Sequence, residues 1–144
     1  MVVGVRNQQK KIRFDPNSVR RAARRLLTYL GLEESELSIL LVDDATMATL
    51  NQTYRGKSGP TDVLSFALRE GEFGEINPSL LGDIVISLET ADRQAQAAGH
   101  SLQTEVRLLL IHGLLHLLGY DHERSLQEAE EMREKETELL ALFR

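Results

Sequence analysis

The sequence predicts a single α+β domain, with a small mixed β-sheet of about four strands flanked by about five helices. Three observations predict it. Short apolar runs at 37–42, 62–67 and 83–88 have strand length and alternate with stretches whose apolar residues recur at helical spacing. The segment from Leu102 to Leu118 is apolar nearly all round, as a central buried helix would be. The chain of 144 residues shows no internal repeat and no linker, which leaves room for one domain, residues 1–144.

Each element has its own local cause. Val2 to Val5 and Ile12 to Phe14 read as a short strand or strand pair. Asp15-Pro16-Asn17 opens a helix, with a capping side chain and a proline tolerated in the first turn. Val19, Ala22, Ala23, Leu26, Leu27 and Leu30 then share one face, and Gly31 is a natural stop. Leu37 to Val42 suits a buried strand. Asp43-Asp44 caps a helix carrying Met47, Leu50 and Tyr54, which ends near Gly56. Lys57 to Pro60 is a turn cluster, Asp62 to Ala67 a strand, and Arg69 to Ser79 an exposed loop holding two glycines, a proline and three glutamates. Asp83 to Leu88 is a further strand, followed by a helix over Glu89 to Ala98 that stops at Gly99. The buried helix over 102–118 ends at Gly119. Ser125-Leu126-Gln127-Glu128 fits a capping box for a last helix. That helix aligns Leu126, Ala129, Met132, Leu139, Leu140 and Phe143.

Composition narrows the chemistry. With 42% hydrophobic and 27% charged residues, the chain is an ordinary globule and not a disordered or fibrous one. It has no cysteine, which excludes disulfides, thiolate nucleophiles and cysteine zinc sites, so any metal must be held by His, Asp and Glu. Met1 to Lys11 has no apolar signal core, and Leu108 to Leu118 is too short to span a bilayer. The expectation is a cytoplasmic protein with no membrane partner.

The strongest signal is His112-Gly113-Leu114-Leu115-His116, followed by Leu117-Leu118-Gly119-Tyr120-Asp121-His122. Residues 112 and 116 lie one helical turn apart on one face. Gly119 can reverse the chain and return His122 toward them. Three converging imidazoles make an open site with room for water, as in catalytic zinc centres; imidazole also suits nickel, copper and iron. Water bound there would have its pKa lowered to about 7. Three of the four histidines lie in this segment, which argues against satisfied core residues. His100, beside Gly99, reads as a solvated loop residue. The spacing is also that of metzincin proteases, which need Glu directly after the first His as general base. Here that position is Gly113. Phosphodiesters, which mainly need charge neutralisation and a positioned hydroxide, fit better than peptides.

His112 to His122 (HGLLHLLGYDH) resembles the signature of the YbeY family, the bacterial rRNA maturation endoribonucleases. Leu50 to Arg55, Pro60 to Phe66, Leu81 to Ile84 and Glu128 to Met132 resemble the family's other blocks in order and spacing. The resemblance covers nearly the whole chain; the departure is Ala67, where the family continues with Pro. It implies a metal-dependent, single-strand-specific endoribonuclease that trims the 3′ end of small-subunit ribosomal RNA and takes part in ribosome quality control. It implies one zinc ion per chain on His112, His116 and His122, with the ribosome and ribosome-assembly proteins as partners. It also implies a cleft leading to the metal. Metal-bound hydroxide would act on the phosphodiester while Arg55, matching the family arginine associated with activity, neutralises phosphate charge. A guanidinium suits that role, although a surface salt bridge explains Arg55 equally well from sequence alone. Asp62 and Ser65 read as structural. Asp83 and Asp121 are open between orienting an imidazole and other roles. Two alternatives remain: a metallopeptidase-like hydrolase recruiting a base from elsewhere, and a non-catalytic, zinc-stabilised ribosome-assembly factor.

The net charge of −5 disfavours RNA until it is divided along the chain. Residues 1–60 carry ten Lys and Arg against six Asp and Glu, a net of +4; residues 61–144 carry seven against sixteen, a net of −9. Arg20, Arg21, Arg24 and Arg25 share a helix face without interleaved acid and are candidates for tracking phosphate. The acidic excess is expected on the last helix and the 69–79 loop, away from the substrate.

Overall fold

The computed structural model describes residues 1–67 and 79–144. The elements are β1 (Val2–Asn7), α1 (Pro16–Tyr29), β2 (Glu36–Val42), α2 (Asp44–Arg55), β3 (Val63–Ala67), β4 (Leu80–Ser87), α3 (Leu88–Ala98), α4 (Leu102–Leu117), α5 (Leu126–Leu140) and a closing 3₁₀ turn, Ala141–Phe143. The sheet order is β1-β2-β4-β3, with β1, β2 and β4 parallel and β3 antiparallel to β4. This is the expected α+β domain. The loop expected at 69–79 lies outside the described residues except for Ser79.

Helix starts follow from their capping side chains. Asp15, Asp43, Ser87, Ser101 and Ser125 each accept a hydrogen bond from a backbone N–H of the first turn, satisfying donors the helix cannot. The strand expected at Ile12 to Phe14 does not form. The Gln9 side chain occupies the Ile12 backbone instead: its Nε2 donates to the Ile12 carbonyl at 2.8 Å, and its Oε1 accepts from the Ile12 N–H at 2.8 Å. Ile12 and Phe14 still pack on the core, so their apolar character serves burial without pairing.

Side chains on one sheet face, among them Leu37, Ile39, Leu41, Ile84 and Ile86, form the main core with α1, α3, α4 and α5. The opposite face carries a smaller cluster, Val42, Leu64 and Val85, covered by Met47 of α2. Alternation along β4 is interrupted at Leu81-Gly82, where the register with β2 shifts by one residue. Gly82 has φ +144° there, and a Cβ would lie 2.1 Å from the Phe66 carbonyl oxygen. Leu81 is thereby turned into the main core. Two apolar residues fall elsewhere than their spacing suggests. Tyr54 is 65% exposed and meets Phe66 edge-on, and Leu126 is 90% exposed at the first turn of α5. The inward stripe of α5 begins later, with Met132 and Leu139 buried.

A polar knot joins α2 and α3 beyond the carboxyl ends of β2 and β4. Asp44 Oδ1 accepts from Ser87 Oγ at 2.7 Å and Thr90 Oγ1 at 2.6 Å, and its Oδ2 lies 2.8 Å from Arg93. In return the Asp44 N–H donates to Glu89 Oε1 at 2.9 Å. Burial alone would raise the Asp44 carboxyl, but the bonds from Thr90, Ser87 and Arg93 together outweigh it and hold it below its ordinary value of 3.8. A depressed folded pKa contributes stability that is present at neutral pH and lost on acidification. Asp44→Asn is therefore expected to destabilise the domain at pH 7 by about 1.5–3 kcal/mol. In urea unfolding, the gap from wild type should narrow as pH falls below about 4.

Candidate metal centre

Helix α4 is buried nearly all round, which fixes its rotation and therefore where its histidines point. Gly113 sets its distance from the sheet. A Cβ at Gly113 would lie 2.9 Å from Ile84 Cγ2, 3.2 Å from Ser65 Oγ and 3.3 Å from Val63 Cγ2. Ser65 Oγ stitches the same place by donating to the Gly113 carbonyl at 3.0 Å. Position 113 thus faces the sheet and has no room for a glutamate. The proton carrier that a metzincin-type peptidase keeps at this position is excluded by packing as well as by residue type.

His112 and His116 lie one turn apart near the end of α4. The helix is closed by Gly119 at φ +97°, and the Gly119 and Tyr120 N–H groups donate back to the His116 and Leu115 carbonyls. The reversed chain is held from outside by Arg124. Its guanidinium donates to the Gly119 carbonyl at 2.8 Å and reaches Asp121 at 3.5 Å and Glu128 at 3.2 Å. Asp121 Oδ1 also accepts from the Glu123 N–H at 2.8 Å. This clasp returns His122 to the helix end. Its ring centroid is 5.4 Å from each of the others, which are 4.6 Å apart.

One ligand atom from each of the three histidines lies within 4.8 Å of the other two. His112 and His116 approach through Nε2 at 3.1 Å. Zinc–nitrogen bonds of about 2.0–2.1 Å at tetrahedral angles space their nitrogens by about 3.4 Å, so this pair is close to ligating separation. Burial, then the neighbouring His112 and His122 rings, push the His116 pKa down, while Asp121 opposes. That favours neutral imidazole, the form that binds metal. The donor set fits a divalent ion of the zinc type, and His122 is the most open of the three.

The histidines line an open cleft of about 430 Å³. Arg55, from the last turn of α2, Asp62, the β3 residues Val63 to Ser65, Asp121 and Glu123 line the same cleft. Among the described residues no ion pair engages the exposed Arg55, so the salt-bridge reading finds no partner there. Asp62 is used locally, accepting from the Val63 N–H at 2.8 Å and Gln94 Nε2 at 3.4 Å.

Other candidates lie elsewhere. Asp83 alternates onto the α2 side of the sheet and lines a groove with Gly4, Glu36 and Ser38, not the histidine cleft. Helix α1 packs over β1, the edge strand opposite β3, so its arginines are not brought to the cleft. Arg20 bonds the Val3 carbonyl and Asn17, Arg21 reaches Asp15, and Arg25 lies over the Phe143 ring; Arg24 is exposed. His100 is not a solvated residue, since its Nε2 is 2.7 Å from the buried Glu105. The last helix is not remote from the site either. Glu136 Oε1 of α5 lies 3.4 Å from His112 Nδ1. Sequence reading missed it, although it occupies the slot between Met132 and Leu139 on the inward stripe.

Fold and site together define a class: single-domain α+β proteins with an open three-imidazole centre that can hold a metal ion. The comparisons give the particular family. The family model Endoribonuclease YbeY matches residues 4–144. The chain is 46% identical over 144 residues to endoribonuclease YbeY of Syntrophus aciditrophicus, covering 99% of this chain and 90% of the relative. It is 44% identical to that of Geobacter sulfurreducens, covering 99% and 96%. A Thermotoga maritima solution structure superposes with TM-score 0.65 at 25% identity, over 96% of this chain and 87% of the other. The chain belongs to the YbeY endoribonuclease family and is a hydrolase of that kind.

Gly113→Ala is expected to destabilise by about 1–3 kcal/mol, despite alanine's better helix propensity, because Ile84 and Val63 are branched at Cβ and cannot swing aside. Urea unfolding measures it; a neutral or stabilising result contradicts the packing described.

Proposed function

We propose that His112, His116 and His122 hold one zinc ion per chain and that the protein cuts single-stranded RNA by hydrolysis at this cleft. The observation that carries the reading is one cleft lined both by three converging imidazoles and by Arg55. Zinc, when bound, supplies Lewis acidity and a nucleophile from water near neutral pH. The rest falls to the chain. Arg55 grips the scissile phosphate through parallel N–H bonds and offsets the charge that grows as water adds and the P–O bond breaks. Asp121, by fixing the Gly119–Arg124 loop, sets the place of His122 and tempers the loss of basicity at His116.

Family membership supports a biological setting: maturation of the 3′ end of small-subunit ribosomal RNA and ribosome quality control in the cytoplasm, with the ribosome and its assembly proteins as partners. Among the described residues no helix is long and apolar enough to cross a membrane. The α1 arginines do not line the cleft, so the chemical step is not assigned to them.

Zinc-loaded protein should cleave single-stranded RNA much faster than duplex. Arg55→Ala should lower kcat by about 100- to 1000-fold with zinc still bound. His116→Ala should bind zinc far more weakly and lose cleavage. Equal cutting by all three proteins would overturn the reading.

A further inference from the structure

We infer that Glu136 is a positioning residue of the metal centre: its carboxylate takes the Nδ1–H of His112 and thereby aims the His112 Nε2 lone pair into the cluster. The inference rests on the zinc reading above and goes beyond it by assigning a role to the last helix.

The first support is which nitrogen faces where. His112 Nε2 lies 3.1 Å from His116 Nε2, so that nitrogen is turned to the cluster. The two ring nitrogens diverge, so Nδ1 points out of the cluster, and there it meets Glu136 Oε1 at 3.4 Å. Neutral imidazole carries one proton. An acceptor at Nδ1 places it there and leaves Nε2 as the donor atom.

The second support is the position of Glu136 on its helix. It follows Met132 by four residues and precedes Leu139 by three, and both are buried. Glu136 thus stands on the apolar stripe that α5 turns toward α4. A carboxylate there loses hydration and needs a partner. Other α5 acids find theirs on the outside: Glu128 with Arg124, Glu138 with Lys135 and Tyr29, Glu131 with Gln127. Among the described residues the polar partner of Glu136 is His112. Both side chains are about 30% exposed, at 30% for Glu136 and 31% for His112, so the contact is partly shielded from water. Such a carboxylate fixes the ring's tautomer and orientation and raises the basicity of the ligating nitrogen.

The test is zinc affinity measured by chelator competition on the full chain. Glu136→Gln, which can still accept a hydrogen bond but has no charge, should weaken zinc binding several-fold. Glu136→Ala should weaken it by about 10- to 100-fold. The visible bands of the cobalt(II) form should shift in both variants. In excess chelator, both should unfold at the wild-type urea concentration or above it, because the metal-free protein then loses only a partly desolvated charge. In a His112→Ala background, Glu136→Gln should have no further effect on zinc affinity. Wild-type affinity and cobalt spectra in both Glu136 variants, beside a weakened His112→Ala, would overturn the inference and leave the zinc reading standing. A loss of metal-free stability as large as the loss of affinity would also overturn it, in favour of a packing role. A wild-type chain that takes up no zinc would overturn the reading beneath it.

Discussion

The close approach of α4 to the sheet at Gly113 is the constraint on which the site depends. A helix apolar nearly all round must be covered on every side, and here β3 and β4, α1, α3 and α5 provide the cover. The missing side chain at 113 lets Ile84 and Val63 come into contact distance, and Ser65 ties the helix backbone to β3. The rotation of α4 is then set by packing. His112 and His116 then line a cleft and are not enclosed within the core. Imidazoles are costly to bury and ineffective as ligands when their rotamers wander. A buried helix that ends in a cleft meets both conditions.

The remaining parts of the site are brought to this fixed helix by the chain on either side of it. Upstream, α2 ends at Arg55 and the turn that follows leads into β3, so the arginine and the strand arrive at the cleft together. The Asp44 knot anchors the start of α2 to α3, and so to the layer that holds α4. Downstream, Gly119 reverses the chain and the Arg124 clasp holds the loop that carries His122. Helix α5 then folds back along α4 and brings Glu136 behind His112. The acidic last helix is therefore part of the surroundings of the centre. Its charge is arranged with most carboxylates outward and one inward.

Much of this was legible in the sequence, for identifiable reasons. Helices with strong caps and long apolar stripes, such as α1 and α4, carry their own signals in residue type and period. So does the His112–His116–His122 spacing, because a single helical turn and a glycine stop are local geometry. What was not legible depends on partners distant in sequence. Ile12 and Phe14 look like a strand, and only the Gln9 side chain shows why they are not one. Asp83 looked available to an imidazole, but the pleat of β4 sends it to the other face. The α1 arginines share a face, but α1 packs over β1, the sheet edge opposite β3, and none of them lines the cleft. Glu136 was visible only as a gap in an apolar stripe. Its meaning needed the packing of α5 against α4.

The most direct measurement of the central claim is the zinc K-edge absorption spectrum of protein loaded with one equivalent of zinc, compared with His122→Ala. Three imidazole nitrogens at about 2.0–2.1 Å, with a further light-atom ligand from solvent, are predicted, falling to two imidazoles in the variant. Fewer than three imidazoles in the wild type, or a spectrum unchanged by His122→Ala, would contradict the account.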